Sequence, residues 1–353
     1  MPTFAAPALD TLARTCLDRV GVPAADAALV ADHLVEAGLM GHDTHSVLRL
    51  PQYVDMARDG VVELGASLQI LQDSDYGARL SGGWNYGPVT ATRAVELALD
   101  KVRDGALAVV GVRDCNHVAR LGRFAQLVTQ EDCICLMTAN GHGGDRAVAP
   151  FGGRDRRLPT NPVCCGIPTG GEWPVILDMT TSMISGGDMR LLRNKGQDAP
   201  EGMLIDADGR PTTKVEEFYG PPPGAILPLG YPDSGHKGYG LSVMVDILAG
   251  SISGVGMTEE EPPRSGNALF VAVLKVEAFQ PLTEFYGEVQ GFIEYVKSCP
   301  AAAGFDEVYL PGERAHRRML ARREGGLYVD EGAWGEIVAL ADELGVGLPE
   351  SVE

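Results

Sequence analysis

Apolar positions recur at helical spacing over Leu9 to Val20 (Leu9, Leu12, Cys16, Leu17, Val20) and over Pro23 to Ala37 (Leu29, Val30, Leu34), predicting two opening amphipathic helices. Pro23 suits a first helical turn, and Gly38 and Gly41 close the second helix. After His42-Asp43-Thr44-His45-Ser46 a third helical pattern runs from Leu48 to Arg58 and stops at Gly60. Short extended pieces follow (Leu68 to Leu71, Ala78 to Leu80), then a helix from Pro88 to Asp104 with Ala91, Ala94, Val95, Ala98 and Val102 along one face. The solid apolar runs Leu107 to Val112 and Cys133 to Met137 flank a helical stretch, Gly122 to Thr129, which predicts a βαβ unit with buried parallel strands.

Val163 to Ile167, Pro174 to Leu177 and Ala268 to Val276 read as further strands, and Tyr239 to Ala249 as a strongly apolar helix. Arg190 to Gly224 is rich in Gly, Pro, Asp and Arg without periodicity, so it is a long functional excursion or a lid-like subdomain. Helices return over Phe285 to Val296, Gly312 to Arg323 and Asp330 to Leu344. The expected class is α/β around a central mixed sheet.

Composition narrows the function. The 353 residues are 45% hydrophobic and 22% charged, enough apolar surface for a large core of about two domains. With 29 Lys and Arg against 48 Asp and Glu, the net charge of −19 sets up a field that repels nucleic acid and anionic membranes, so neither is an expected partner. A carboxylate substrate stays open, because a few cations focused in a cleft outweigh the averaged field. No apolar run reaches the ~18 to 20 residues of a membrane span, and the first residues lack the pattern of a secretion signal, so a cytoplasmic protein is expected. Seven scattered cysteines without a Cys-x-x-Cys pair predict neither a disulfide framework nor a zinc ribbon.

The dinucleotide fingerprint Gly-x-Gly-x-x-Gly is missing: Gly141-His-Gly143 and Gly254-Val-Gly256 both lack the third glycine. Arg113-Asp-Cys-Asn-His117 lies just beyond the strand run Leu107 to Val112, where α/β sheets place ligand-binding groups. A histidine there either exchanges a proton near neutral pH or pairs with a loop carbonyl. His42, Asp43, His45 and Arg49 share an eight-residue window; Arg49 offers a fork for a carboxylate or else a solvated charge, and a metal reading lacks further ligands at the right spacing. His236-Lys237-Gly238-Tyr239-Gly240 precedes the apolar helix and is suited to an anion, and Leu177-Asp-Met-Thr-Thr-Ser182 is suited to ribose or to a capped turn.

Seven segments in register carry a resemblance: Asp43-Thr-His45-Ser-Val-Leu-Arg49-Leu-Pro-x-Tyr53, Cys115-Asn-His117, Ala149-Pro-Phe-Gly-Gly153, Thr160-Asn-Pro162, Leu177 to Ser182, Lys237-Gly-Tyr-Gly-Leu241 and Pro311-Gly-Glu313. Together they resemble the second type of malate/L-lactate dehydrogenase family. The resemblance implies an oxidoreductase using NAD or NADP on a small 2-hydroxy or 2-oxo acid, with a non-Rossmann cofactor fold and no metal. It implies a homodimer whose helical domain comes from both termini (1–65 and 285–353), a central cofactor domain (66–190 and 236–284) and an insert (191–235).

By the same likeness His117 and His45 are catalytic, and Arg49, Ser46 and Thr160 lie on the substrate side. Asn140, Asn161, Asp178, Met179, Thr180, Lys237, Pro311, Gly312 and Glu313 then line the cofactor. Ser46 stands where the family has glycine and Cys115 where it has serine, and both departures are expected to touch the substrate pocket. Arg190, Arg193 and Lys195 either neutralise a 2′-phosphate or solvate the excursion that carries them. Rival readings are a cyclic imino acid reductase and a cofactor-binding protein without catalysis.

Overall fold

The computed structural model describes residues 2–141, 146–259 and 264–352; Gly143 of the near-miss fingerprint lies outside them. The chain begins with a short strand β1 (Thr3–Phe4) and helices α1 (Ala6–Arg19) and α2 (Ala24–Leu39). Gly41, with φ of 84°, ends the second in the left-handed conformation that favours glycine. Two 3-10 turns, Asp43–His45 and Val47–Arg49, lead into α3 (Leu50–Arg58). Next come β2 (Gln69–Ser74), β3 (Gly77–Ser81), α4 (Gly87–Val102), β4 (Leu107–Cys115), α5 (Leu121–Thr129), β5 (Cys133–Asn140), β6 (Val163–Ile167) and β7 (Val175–Met179).

An excursion holds α6 (Gly186–Asn194), β8 (Leu204–Ile205), β9 (Pro211–Thr212), α7 (Val215–Tyr219) and β10 (Ala225–Ile226). Helix α8 (Gly235–Ser253) and strand β11 (Asn267–Lys275) rejoin the sheet, and α9 (Leu282–Lys297), α10 (Glu313–Gly325), β12 (Leu327–Tyr328) and α11 (Glu331–Leu344) follow. Among the described residues no helix is long and apolar enough to cross a membrane.

The central sheet runs β2-β3-β4-β11-β5-β6-β7, and β3 with β4 is its parallel pair. The expected βαβ unit is therefore corrected. β4 and β5 point the same way, but β11 enters between them and pairs antiparallel with both. A strand arriving about 130 residues later leaves no trace in local periodicity. Helices α4 and α5 cover one face and α8 the other, which is why the central strands read as continuous apolar runs. Val110, Val112, Met137, Val271 and Val273 are fully buried there, each worth roughly 1.5–3 kcal/mol of burial free energy.

A second core joins the two ends of the chain: Leu17, Val30, Leu34, Leu50 and Tyr53 pack with Leu327, Ile337 and Ala341. The aperiodic stretch builds its own small core from Met189, Leu204, Val215, Phe218 and Ile226, together with Val148 from before β6. These layers meet around α3, α6 and the end of β4. That meeting point positions the site.

Candidate active site

His117 hangs on the loop that leaves β4, and the loop is held at several points. Asn116 Nδ2 donates to the Trp84 carbonyl at 2.6 Å and to those of Val61 and Asn85 at 3.2 Å. The Val118 N–H donates to Asn267 Oδ1 at 2.9 Å, and the Arg120 N–H to His33 Nε2 at 3.1 Å. Ala119 takes φ of 59° to complete the turn. A Cβ on Gly87, the first residue of α4, would collide with the His117 carbonyl, so glycine is what lets the helix begin there.

Tyr53, fully buried on α3, holds the histidine ring through its hydroxyl. Its O–H donates to the His117 carbonyl at 3.4 Å, while its oxygen lies 3.3 Å from Nδ1. When the phenolic hydrogen lies on the carbonyl, the oxygen is free to accept Nδ1–H, the tautomer that leaves the lone pair on Nε2. Burial raises the Tyr53 hydroxyl far above its ordinary pKa, with Arg49 opposing and Cys115 adding, so the phenol stays protonated. The Tyr86 O–H in turn donates to the Tyr53 carbonyl at 2.7 Å, and the two rings stack at 5.5 Å.

The His45 ring stacks on that of His117 at 5.6 Å between centroids and 10° between planes, with its Nδ1 3.2 Å from Thr44 Oγ1. Arg49 Nε donates to the Thr44 carbonyl and Nη1 to Gln52 Oε1, both at 2.7 Å. Helix α6 closes against this turn at Gly187, where a Cβ would sit 3.1 Å from Thr44 Cβ and 3.6 Å from Arg49 Nη2. Burial first, and then the Arg49 charge, holds His117 well below the usual histidine range and His45 at about 3. Both imidazoles are neutral at cellular pH. In the tautomer with Nδ1–H on Tyr53, His117 presents a bare Nε2 within the field of the Arg49 guanidinium, which suits a base working near a carboxylate anchor.

Of the window's other members, Asp43 serves structure. Arg322 of α10 donates to Asp43 Oδ1 at 2.7 Å and to the Gly38 carbonyl, drawing Asp43 into an ion pair with the terminal helices. His42 is pushed down to about 4, chiefly by burial and then by Arg120. Among the described residues no three His, Cys, Asp or Glu side chains are placed to hold a metal ion.

The two family departures are both bonded to neighbouring backbone carbonyls within the fold. Ser46 is buried, and its hydroxyl donates to the Asp43 carbonyl at 2.8 Å while facing the Leu48 N–H. Cys115 is enclosed, its S–H directed at the Asn116 carbonyl and its pKa pushed up to about 12 by burial. It is no nucleophile.

The remaining candidates separate into two groups. Asn140 is wholly enclosed, its Nδ2 donating to Asp246 at 3.2 Å and its Oδ1 accepting the Ala268 N–H at 3.1 Å. Asn161, at φ of 38°, donates to the same Asp246 at 3.1 Å and to the Ser242 carbonyl. The Thr180 hydroxyl donates to the Thr160 carbonyl at 2.8 Å, tying the two motifs together, and Met179 ends β7 beside them. Glu313 is buried under Lys297, Arg317 and the Leu310 N–H. These side chains hold strand ends and turns in place.

The second group opens on a cavity of about 460 Å3, lined by Asp178 and Gly312 together with Arg120, Trp173, Ile176 and Arg318, among others. Asp178 accepts the Gly122 N–H at 2.7 Å; burial raises its pKa, and Arg120 and that N–H pull it back. The Pro311 carbonyl accepts the Ile176 N–H at 3.1 Å, pinning the Pro311-Gly312 turn, with φ of 88° at the glycine, against β7. Lys237 stands exposed outside this lining. It lies within the first turn of α8, since the helix begins at Gly235 and not after the glycines as expected. Gly238 there meets the Leu229 backbone too closely for any Cβ.

Sequence reasoning passed over Tyr53 as a site residue although it ended a quoted motif, and it passed over Arg120, Arg314 and Arg318. The last two form an i,i+4 pair on a helical pattern, which was the available signal.

Comparison with known proteins gives one family. A model described as malate/L-lactate dehydrogenase matches residues 4–338. The chain is 37% identical over 339 residues to a malate dehydrogenase of Pyrococcus horikoshii, covering 94% of this chain and 92% of that one. It is 35% identical to an L-sulfolactate dehydrogenase of Methanothermobacter thermautotrophicus, covering 94% of each. The solved P. horikoshii malate dehydrogenase superposes with a TM-score of 0.88 at 32% identity over 99% of this chain and 97% of that one. A Δ1-piperideine-2-carboxylate reductase from Pseudomonas syringae shares the fold, with a TM-score of 0.80 at 24% identity over 97% of this chain and all of that one.

Proposed function

The chain belongs to the malate/L-lactate dehydrogenase family and is a 2-hydroxy acid dehydrogenase; from that premise we propose how its residues divide the work. Arg49 takes the substrate carboxylate and His117 exchanges the proton of the adjoining oxygen. The observation that carries this reading is the neutral imidazole with Tyr53 at its Nδ1 and the Arg49 charge acting on it, an arrangement in which Nε2 serves as the base.

During oxidation His117 Nε2 accepts the hydroxyl proton, and during reduction it returns it. Arg49 does more than anchor. Its charge is a leading cause of the depressed His117 basicity, and a bound carboxylate offsets that charge, so substrate binding itself raises the affinity of Nε2 for the proton it receives. His45, stacked against the ring, limits its rotation and keeps solvent from one face.

The nicotinamide cofactor supplies or accepts a hydride when bound. The cavity beside Asp178 and Gly312 fits such a group: its volume lies within the ~300–1,000 Å3 of small-molecule sites, and it joins the amino end of α10 and several cations to a flat wall of Trp173, Pro174 and Ile176. Asp178 and Gly312 would hold the cofactor there, with their chain neighbours Pro311, Met179 and Thr180 along its margins, while Lys237 would meet the cofactor outside this lining and Thr160 stays on the substrate side. The absent glycine fingerprint and the antiparallel β11 at the sheet centre support a cofactor fold other than the Rossmann type. A homodimer is supported by α8, whose outer face exposes Leu241, Met244, Ile247 and Ile252.

The reading is tested by following nicotinamide absorbance with both reduced cofactors and a panel of pyruvate, oxaloacetate, sulfopyruvate and piperideine-2-carboxylate. Turnover of 2-oxo acids is the expected result. Turnover of the cyclic imine alone would transfer the site to an imino acid reductase, and cofactor binding without any turnover would remove catalysis. The departures that favoured a non-catalytic protein, Ser46 and Cys115, are both buried and bonded to backbone carbonyls, which weighs against that reading.

A further inference from the structure

Helix α10 carries two charged i,i+4 pairs offset by one residue, Glu313 with Arg317 and Arg314 with Arg318. At about 100° per residue the pairs face different ways. The first is closed: Glu313 binds Lys297 at 2.5 Å and Arg317 at 2.6 Å, and Arg317 forks onto Glu307 at 2.5 and 2.9 Å. The second pair has no carboxylate partner among the described residues, and both its guanidiniums line the 460 Å3 cavity. Gly41 makes room for one of them, because a Cβ there would collide with the Arg318 guanidinium.

The rest of the lining continues the imbalance. Arg120, His42 and His316 face the same space, and Asp178 is its one carboxylate among the described residues. Arg120 is only 5% exposed; it binds Glu36 at 2.6 Å and Gln126 at 2.8 Å, yet its Nε has no hydrogen-bond partner among the described residues. Asp178 already accepts the Gly122 N–H and sits against Arg120. In a chain of net charge −19, a cavity with spare guanidinium donors and a committed carboxylate is built for an oxyanion.

A dinucleotide pyrophosphate needs little of this, since backbone N–H groups at a helix amino end suffice for it. The adenosine ribose discriminates. A free 2′-hydroxyl is met by a carboxylate, and a 2′-phosphate by arginine. Here the available groups are arginines. The cations weighed from sequence are elsewhere: Arg193 pairs with Glu216 and lies over Tyr219, and neither Arg190 nor Lys195 lines the cavity.

We propose that Arg314 and Arg318 receive a phosphate monoester on the cofactor's adenosine ribose, so that this chain selects the 2′-phosphorylated dinucleotide. The proposal rests on the cofactor reading of the cavity and goes beyond it. The test is titration of the whole protein with NADPH and with NADH, read by nicotinamide fluorescence, for the natural chain, Arg318→Ala and the bulkier Arg318→Gln. NADPH should bind at least about 10-fold more tightly than NADH, and either substitution should weaken NADPH about 10- to 100-fold, the range for charged hydrogen bonds, while moving NADH far less. Equal affinities in the natural chain, or losses shared equally by the two cofactors, would overturn the selectivity. Failure to bind either cofactor would instead strike the reading of the cavity itself.

Discussion

The two ends of the proposed site handle charge in opposite ways. At His117 the imidazole is half-buried, within hydrogen-bond distance of Tyr53 through Nδ1 and held neutral, with Arg49 and His45 close by. At α10 two guanidiniums stay exposed, with no acidic partner among the described residues. A group that takes a proton works when burial has removed its charge beforehand. A group that must hold phosphate works when its charge remains solvated until the ligand arrives, which avoids the cost of burying it alone. The contrast predicts that substitutions at the first end act on turnover and those at the second on binding.

The largest break in that contrast is His117→Asn. Loss of a positioned general base should lower kcat about 10²- to 10⁴-fold while the Kd for reduced cofactor, read by fluorescence, stays near its natural value. A variant that turns over normally would take the proton away from this ring.

Tyr53→Phe sharpens the same point with a smaller effect. It deletes the acceptor of Nδ1–H and frees the tautomer, so kcat should fall about 5-fold, the worth of one ordinary hydrogen bond. The pH profile distinguishes positioning from simple loss of packing. In the natural enzyme the acid limb of kcat/KM for oxidation should lie well below the ordinary histidine value near 6.5, because burial and Arg49 depress His117. The limb of kcat should sit higher, because bound carboxylate offsets Arg49. In Tyr53→Phe the kcat/KM limb should move; an unmoved limb with reduced kcat would make Tyr53 a packing residue only.

How much of this was legible beforehand depends on distance along the chain. The helices α1, α2, α4 and α10 follow from local apolar spacing, and His117 followed from a strand run ending in a loop. The place of β11 did not, since strand order is set by pairing between distant segments that carry the same alternation. The roles of Asn140, Asn161 and Glu313 were hidden for a related reason: a polar side chain in a motif looks the same whether it faces a ligand or a buried Asp246. Orientation is a property of packing, and Ser46 and Cys115 illustrate it most plainly.

The neutral imidazoles also make a stability prediction. His33, His42, His45 and His117 all have folded pKa values below the ordinary one, mainly through burial. The unfolded chain therefore binds more protons than the folded one below about pH 6.5, and stability falls as the pH drops through that value. Between pH 7.5 and 5.5 each fully depressed histidine costs about 1.4 kcal/mol, so thermal melts should show Tm falling over this window. His33→Gln, whose amide oxygen can still accept the Arg120 N–H that ties down the His117 loop, should flatten the slope while keeping that tie, so kcat should change by no more than about 2-fold. A Tm independent of pH over that range would mean these rings are not neutral by burial.

The smallest effect is expected where the sequence departs from its family. Ser46→Gly restores the family residue, and if the hydroxyl faced the substrate it would shift KM. Its hydroxyl instead bridges Asp43 and Leu48 within the turn that carries His45 and Arg49, at an extended backbone conformation that does not call for glycine. The substitution should then cost about 1 kcal/mol of stability, through a lost cap and a looser turn, with KM changed by no more than about 2-fold. Cys115→Ser exchanges a buried thiol for a hydroxyl that can keep the bond to the Asn116 carbonyl, and should be quieter still. A 10-fold change in KM from either one would mean that the turn opens to expose the side chain when substrate binds, and the rigid histidine end drawn here would have to be redrawn as a moving one.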